Sequence, residues 1–227
     1  MYIPISLLRR HVRESNLIEN IRYRSGVRLV ASHLNAAVQV VRRTARGELL
    51  DPLHIHSLLC RGTSMEGFGG KKRTCNVCVG KYDMPRWREV TRLLNLWRGT
   101  VQYYDKRMKD APKKERERIA RILHELFLCV HPFEDGNGRT SRLILNMLRL
   151  RWGLEWLVVE NRRKGFYYRQ IRHTQDTIFR PCYPNVFPED ERRRLRRRLE
   201  AERAWIDAYE DLPTGRVSMR NSIRPRR

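Results

Sequence analysis

The densest chemistry in this 227-residue chain lies in one short stretch, His131 to Arg142, reading HPFEDGNGRTSR. A histidine, an acid pair, two glycines and two arginines crowd together between two apolar stretches. Glycine weakens regular structure, and the charged groups must stay wet or find partners, so a plain connector has little use for them. The chemistry they suit is handling of an anion. Two glycines let the main chain approach an anion closely, and the start of a following helix supplies outward N–H groups and a favourable dipole. Arg139 and Arg142 lie about one turn apart and can reach the same anion. Asp135 suits a magnesium ion bridging phosphates, because that ion takes one or two carboxylates plus phosphate oxygens. His131 stands beside this cradle with an ordinary pKa of about 6.5, able to accept a proton from an attacking hydroxyl. Together these parts point to nucleotidyl or phosphoryl transfer. Phe133 reads as the apolar anchor of the loop.

Such a loop needs helices on both sides, and the apolar spacing provides them. Ile119, Ile122, Leu123, Leu126, Phe127 and Val130 form a stripe that leads straight to His131, and Leu143, Ile144, Met147 and Leu148 continue beyond the loop in a helix that begins with Arg139 and ends near Gly153. Upstream, Val30, Leu34, Val38 and Val41 predict a helix stopping near Gly47. Asp51 and Pro52 predict the N-cap and first turn of a short helix through Leu58 and Leu59. Val90, Leu94, Trp97, Val101, Tyr104 and Met108 predict another, with Gly99 expected to bend it. Gly67 to Asp83, GFGGKKRTCNVCVGKYD, breaks the helical pattern and reads as a β-hairpin or extended flap. Pro188, followed by Glu189, Asp190 and Glu191, predicts a last helix whose ERRRLRRRLE run is most simply a solvated face, and residues 213–227 read as a polar, basic tail.

The formal net charge of +23 and pI of about 10.8 favour any anionic partner without choosing one. Arginines scattered through the chain argue against a single dedicated nucleic-acid groove. The N-terminal MYIPISLLRRHVRESN has no apolar run long enough for a signal peptide or a membrane span, which gives a cytoplasmic expectation. Five cysteines fit reduced thiols. Cys75 and Cys78 form a CNVC pair, but no second close pair completes a zinc site, and strand thiols are the expectation.

The stretch HPFEDGNGRTSR resembles the signature of the Fic family, with every fixed position present, and the resemblance extends over roughly residues 10–180. It implies a mainly α Fic fold, a helical bundle with a small β-hairpin flap beside the active-site loop. It divides the chain into a Fic domain at 1–185 and a basic C-terminal helix and tail at 186–227. The implied activity is transfer of AMP from ATP to a Ser, Thr or Tyr hydroxyl of a protein. By the same resemblance His131 is the base, Asp135 the magnesium ligand, Gly136, Asn137 and Gly138 the anion hole, and Arg139 and Arg142 the phosphate-binding arginines. Gly138 favours AMP transfer, because the relative that moves phosphate has lysine there. In the flap, Thr74, Cys75, Asn76, Val77, Cys78 and Val79 match the stretch that holds a target segment as an added strand. NRRKGFYYRQ resembles the aromatic segment near adenine, with Tyr167, Tyr168 and Gln175 as adenine-side residues.

Near the N-terminus, ESNLIEN carries Ser15, Glu19 and Asn20 in a pattern that resembles the inhibitory motif of Fic proteins with their own inhibitory helix, here expected over about residues 10–24. A carboxylate four residues after a hydroxyl sits about one helical turn beyond it, so Ser15 can help fix the helix while Glu19 projects outward. The resemblance implies that Glu19 pairs with Arg142 and keeps that arginine from the γ-phosphate. Two other readings stand beside this one: a de-adenylylating enzyme in which Glu19 positions water, and a basic regulator that binds nucleic acid, which the intact motif disfavours. A homodimer is compatible with the family, and no membrane partner is expected.

Overall fold

A computed structural model of the chain describes residues 3–21, 26–80 and 82–187. The helix expected from Pro188 and the basic tail lie outside these residues. What is described is mainly helical, with one two-stranded antiparallel sheet. In chain order the helices are α1 Ile5–Ile18, α2 Val27–Ala45, α3 Pro52–Cys60, α4 Val90–Asp105, α5 Lys113–Val130, α6 Asn137–Arg151, α7 Lys164–Thr174 and the short α8 Arg180–Cys182. Strands β1 Cys78–Val79 and β2 Tyr82–Asp83 lie between α3 and α4.

Helix α6 is the centre of the body, packed by α5, α2, α3 and α1. Its Leu143, Ile144, Met147 and Leu148 are fully buried, as the spacing predicts, but so are Thr140, Ser141 and Asn146, so nearly every face is covered. A helix surrounded on all sides can hold its first turn still, and that turn belongs to the motif loop. Helix α6 begins at Asn137, two residues before the expected start. Helix α5 buries Ile119, Leu123, Phe127 and Val130 against it and ends at the loop.

Helix α2 stops beside Gly47, whose φ of +83° suits glycine. Its buried seam is Ser32, His33, Ala36, Ala37, Val40 and Thr44. The expected stripe of Val30, Leu34, Val38 and Val41 is only half-buried along the flank. Small residues on the seam let the helix axes approach closely, and Ser32 offsets its burial by donating to the carbonyl of Leu59 at 2.7 Å. Asp51 caps α3, accepting from the Leu53 N–H at 2.8 Å. Gly99 lies within helix α4, which runs from Val90 to Asp105.

The flap is more irregular than expected. Glu66–Phe68 is a 3-10 turn, Thr74 to Val77 belong to no strand, and β1 and β2 contribute two residues each in the register Cys78↔Asp83 and Val79↔Tyr82. Cys78 alone is a strand thiol; Cys75 precedes the strand.

Candidate active site

The motif loop is held open by its own side chains. His131 ends α5 in the left-handed region, φ 50° and ψ 61°, which turns the chain sharply away from the helix axis. Phe133, fully buried, stacks on the His56 ring at 3.7 Å and 9°. Asn137 is buried and closes the loop on itself: its side-chain Oδ1 accepts from the Phe133 N–H at 3.0 Å, and its Nδ2 donates to the Phe133 carbonyl at 2.8 Å. The Asn137 side chain is therefore engaged within the loop, which leaves its backbone N–H to meet an anion. Gly136 has φ +77°, and a Cβ there would lie 3.1 Å from the His56 ring. The N–H groups of Asn137, Gly138 and Arg139 open α6 with no side-chain cap. They form the anion-favouring end of a buried helix.

His131 Nδ1 lies 3.3 Å from the Leu128 carbonyl, which can only accept. That contact places the proton on Nδ1 and leaves Nε2 as a lone pair, the tautomer a base requires. Burial, with the Arg73 charge adding to it against the Leu128 contact, lowers the His131 pKa to about 4, so the ring is neutral at physiological pH.

Asp135 has a 62% exposed side chain, with one oxygen bonded to Arg139 at 2.9 Å and the other to the Gly136 N–H at 2.6 Å. Each oxygen keeps a lone pair toward solvent, so the group fits a magnesium ion that arrives with phosphates. Among the described residues no cluster of three or more His, Cys, Asp or Glu could hold a metal alone. Magnesium keeps most of its shell as water and phosphate and does not need such a cluster.

The two arginines differ. Arg139 is engaged by Asp135, whereas Arg142, 1% exposed at its side chain, is held by the N-terminal segment. Its Nε donates to the Ser15 hydroxyl at 2.7 Å and its guanidinium to Glu19 Oε1 at 2.7 Å and to the Ser15 carbonyl at 3.1 Å. Burial works against the Arg142 charge, but Tyr167 and Glu19 outweigh it and hold its pKa above the ordinary value. The Glu19 carboxylate rests on the first turn of α6: a Cβ on Gly138 would fall 2.0 Å from its oxygen.

Helix α1 ends at Ile18, short of the expected span, so Glu19 is its C-cap. Asn20 follows at φ 58°, with its N–H bonded to the Leu17 carbonyl at 3.0 Å and the Ile21 N–H bonded to the Asn16 carbonyl at 2.9 Å. This pair of bonds is a Schellman stop, and the left-handed residue it needs is glycine or asparagine. Ser15 does more than steady the helix, because it binds Arg142 directly.

A cavity of about 430 Å3 brings the separate segments together. Glu19, His131, Gly138 and Arg142 line one side, Tyr167, Tyr168 and Gln175 another, and Val79, Gly80 and Tyr82 of the flap a third. The volume is in the range of small-ligand sites. Tyr167 is buried, its hydroxyl 3.1 Å from His124 Nε2, and the same ring's Nδ1 lies 3.0 Å from the Ser141 carbonyl. The Gln175 amide nitrogen is buried without a partner among the described residues. Of the flap residues put forward from sequence, Val79 lines the cavity, while Thr74, Cys75, Asn76, Val77 and Cys78 lead toward it outside.

Two residues that sequence reasoning missed fasten the flap to the loop. Arg73, 2% exposed, donates from Nε to the His131 carbonyl at 2.8 Å, from Nη1 to the Cys75 carbonyl at 2.8 Å and from Nη2 to Pro85, and its own N–H donates to the Pro132 carbonyl at 2.9 Å. His56 donates from Nε2 to the Asp135 carbonyl at 3.1 Å and accepts from the Gly70 N–H at Nδ1, 3.0 Å. Burial lowers the His56 pKa to about 4, and a second ring proton would displace the Gly70 bond.

Residues 49–148 match the Fic/DOC family, a span that begins before α3 and ends within α6. These residues form a Fic/DOC family domain. Relatives named protein adenylyltransferase Fic include one from Aedes aegypti, 29% identical over 154 residues covering 65% of this chain, and one from Drosophila grimshawi, 36% identical over 158 residues covering 69%. In both cases the chain spans about 30% of the relative's own length. Solved structures with the same fold include a Fic domain containing signaling protein from Bacteroides thetaiotaomicron, TM-score 0.62 at 16% identity, covering 74% of this chain and 72% of that one. Fic-1 from C. elegans aligns with TM-score 0.56 at 18% identity over 88% of this chain and 64% of its own. The Fic fold accounts for the mainly helical body and its small hairpin.

Proposed function

We propose that this Fic protein transfers AMP from ATP to a Ser, Thr or Tyr hydroxyl of a target protein and that Glu19 holds it in check. The observation that carries the reading is the 2.7 Å contact of Glu19 with Arg142, made over a motif loop with every Fic position intact. The relatives' name, protein adenylyltransferase, supports the chemistry.

On this reading the N–H groups opening α6, with Arg139 and Arg142, bind the phosphates of ATP. Asp135 holds the magnesium ion, which neutralises phosphate charge when bound. Tyr167 and Tyr168 lie along adenine, and the Gln175 amide offers its edge a donor. A target hydroxyl, presented along the flap, gives its proton to His131 Nε2 as its oxygen attacks the α-phosphorus and pyrophosphate leaves. With Glu19 on Gly138 and Arg142, the γ-phosphate loses its arginine and ATP settles in an unproductive pose.

The test is transfer of label from α-labelled ATP with magnesium, comparing the protein, Glu19→Gly, and Glu19→Gly with His131→Ala. Glu19→Gly should raise labelling by about tenfold or more, the scale of a coupling of about 1–3 kcal/mol, and adding His131→Ala should abolish it. Equal labelling by the protein and folded Glu19→Gly would remove the inhibitory reading. A second reading, removal of AMP, is favoured by the Glu19 carboxylate lining the same cavity as His131, where it can orient water. Release of AMP from a modified target, lost in Glu19→Gly, would select it.

A further inference from the structure

Beside the root of the flap is a basic notch of about 350 Å3, lined by Gly70 to Thr74 and by Trp87, Arg88 and Thr91. Lys71 and Arg88 are exposed, Lys72 is half-buried, and among the described residues none of the three has an ion pair with a carboxylate. Some exposed arginines elsewhere, Arg10, Arg92, Arg118 and Arg162, each meet a carboxylate within 2.6–2.8 Å, whereas the notch gathers three cations around one hollow without one. Inside the notch the nearest partner is neutral, the Thr91 hydroxyl, which accepts from Lys72 Nζ at 2.7 Å. Trp87, 39% exposed, forms an apolar wall with the Arg88 guanidinium 5.3 Å over its ring.

The notch and the flap are one piece of structure. The Asn76 side chain accepts from the Trp87 N–H at 3.0 Å, and Arg73 ties the flap root to the His131 carbonyl. The far end of the flap, Val79, Gly80 and Tyr82, borders the cavity that holds His131, and its near end, Thr74, borders the notch. An extended segment laid along residues 74–79 rises about 3.3 Å per residue. A segment with its hydroxyl in that cavity would run along the flap toward Thr74 and the notch.

We infer that the notch is a specificity site for the target: it takes acidic side chains that lie on one side of the modified hydroxyl, while the flap pairs with the backbone. The inference rests on the proposed AMP transfer for its placing of the hydroxyl. Backbone pairing alone discriminates weakly between sequences, and unpaired cations at the end of the track supply the missing choice.

The test uses the 227-residue chain carrying Glu19→Gly and two fluorescein-labelled twelve-residue peptides with a central Thr, one with four Glu before it and one with four Glu after it. A Gln-for-Glu peptide and a single-stranded oligonucleotide of equal charge complete the set. Anisotropy should show one acidic orientation binding at least fivefold more tightly than the other and than the Gln peptide. Lys71→Glu with Lys72→Glu should weaken it at least tenfold, and Lys113→Glu with Lys114→Glu, at the opposite end of α5 from His131, less than twofold. Equal losses from both pairs, or equal binding of the two orientations, would reduce the effect to overall charge and overturn the inference. So would an oligonucleotide that binds more tightly and loses affinity only with the notch pair. Labelling from α-labelled ATP by the Lys71/Lys72 variant keeps the two readings apart: persistent automodification without acidic-peptide preference overturns the notch alone. Oriented, notch-dependent binding without any AMP transfer overturns the activity and leaves the notch.

Discussion

The motif loop and the flap lie side by side and are built on opposite terms. Between His131 and Gly138 the loop is braced from within the protein while the N–H groups that open α6 stay uncapped: Asn137 bridges Phe133, Asp135 meets Arg139 and Gly136, and His56 and Arg73 hold two of the carbonyls. Between Thr74 and Gly80 most side chains are exposed, and the strands are two residues long. The first region is fixed before any ligand arrives, as electrostatic catalysis requires. The second is a ribbon of two short strands, and on the proposed reading a target segment extends it.

Substitutions can sharpen this contrast, and the largest effect is on rate. In the Glu19→Gly background, His131→Ala should slow AMP transfer by about 10²–10⁴, the usual worth of a positioned base, with the melting temperature nearly unchanged. Acid should act next, on stability. Burial lowers the pKa of His11 and His124 to about 3 and of His56 and His131 to about 4, below the unfolded value. The unfolded chain therefore binds more protons once pH drops below about 6.5. The stability these rings contribute is complete above that pH and is lost as pH falls toward their folded values. Urea midpoints should stay level from pH 8 to 7 and decline steeply from pH 6.5 to 4; a flat profile through pH 5 would contradict the burial of these rings. Arg73→Met strips three carbonyls of their donor and should cost on the order of 3 kcal/mol in urea unfolding, with Arg73→Lys recovering part of it. Smallest is Asn76→Ala, which removes one exposed bond and should change stability by less than about 0.5 kcal/mol. If Asn76→Ala instead unfolds the protein as readily as Arg73→Met, the contrast between loop and flap is lost.

How much of this was legible follows from sequence distance. The loop's chemistry lies in contiguous residues, and the stripes of α5 and α6 place it correctly. The Glu19–Arg142 pairing spans 123 positions and was legible only through resemblance to a family. Arg73 and His56 gave no signal, because each is one basic or aromatic residue whose meaning lies in carbonyls 58 and 79 positions away. Helix α2 was misread at its buried face, because alanine, serine and histidine there allow close packing while the valines and leucine flank it. The flap was expected as a fuller hairpin because β-forming residues do not reveal how few of them pair.

The Schellman stop at Asn20 has a consequence for inheritance. Helix α1 owes its place to Leu8, Val12 and Ile18 in the core, whereas Glu19 sits just past its last turn. A change at Glu19 therefore leaves the helix docked on those residues and removes the carboxylate from Arg142. On the proposed reading, restraint and fold are separable traits, and a single codon can erase the first while sparing the second.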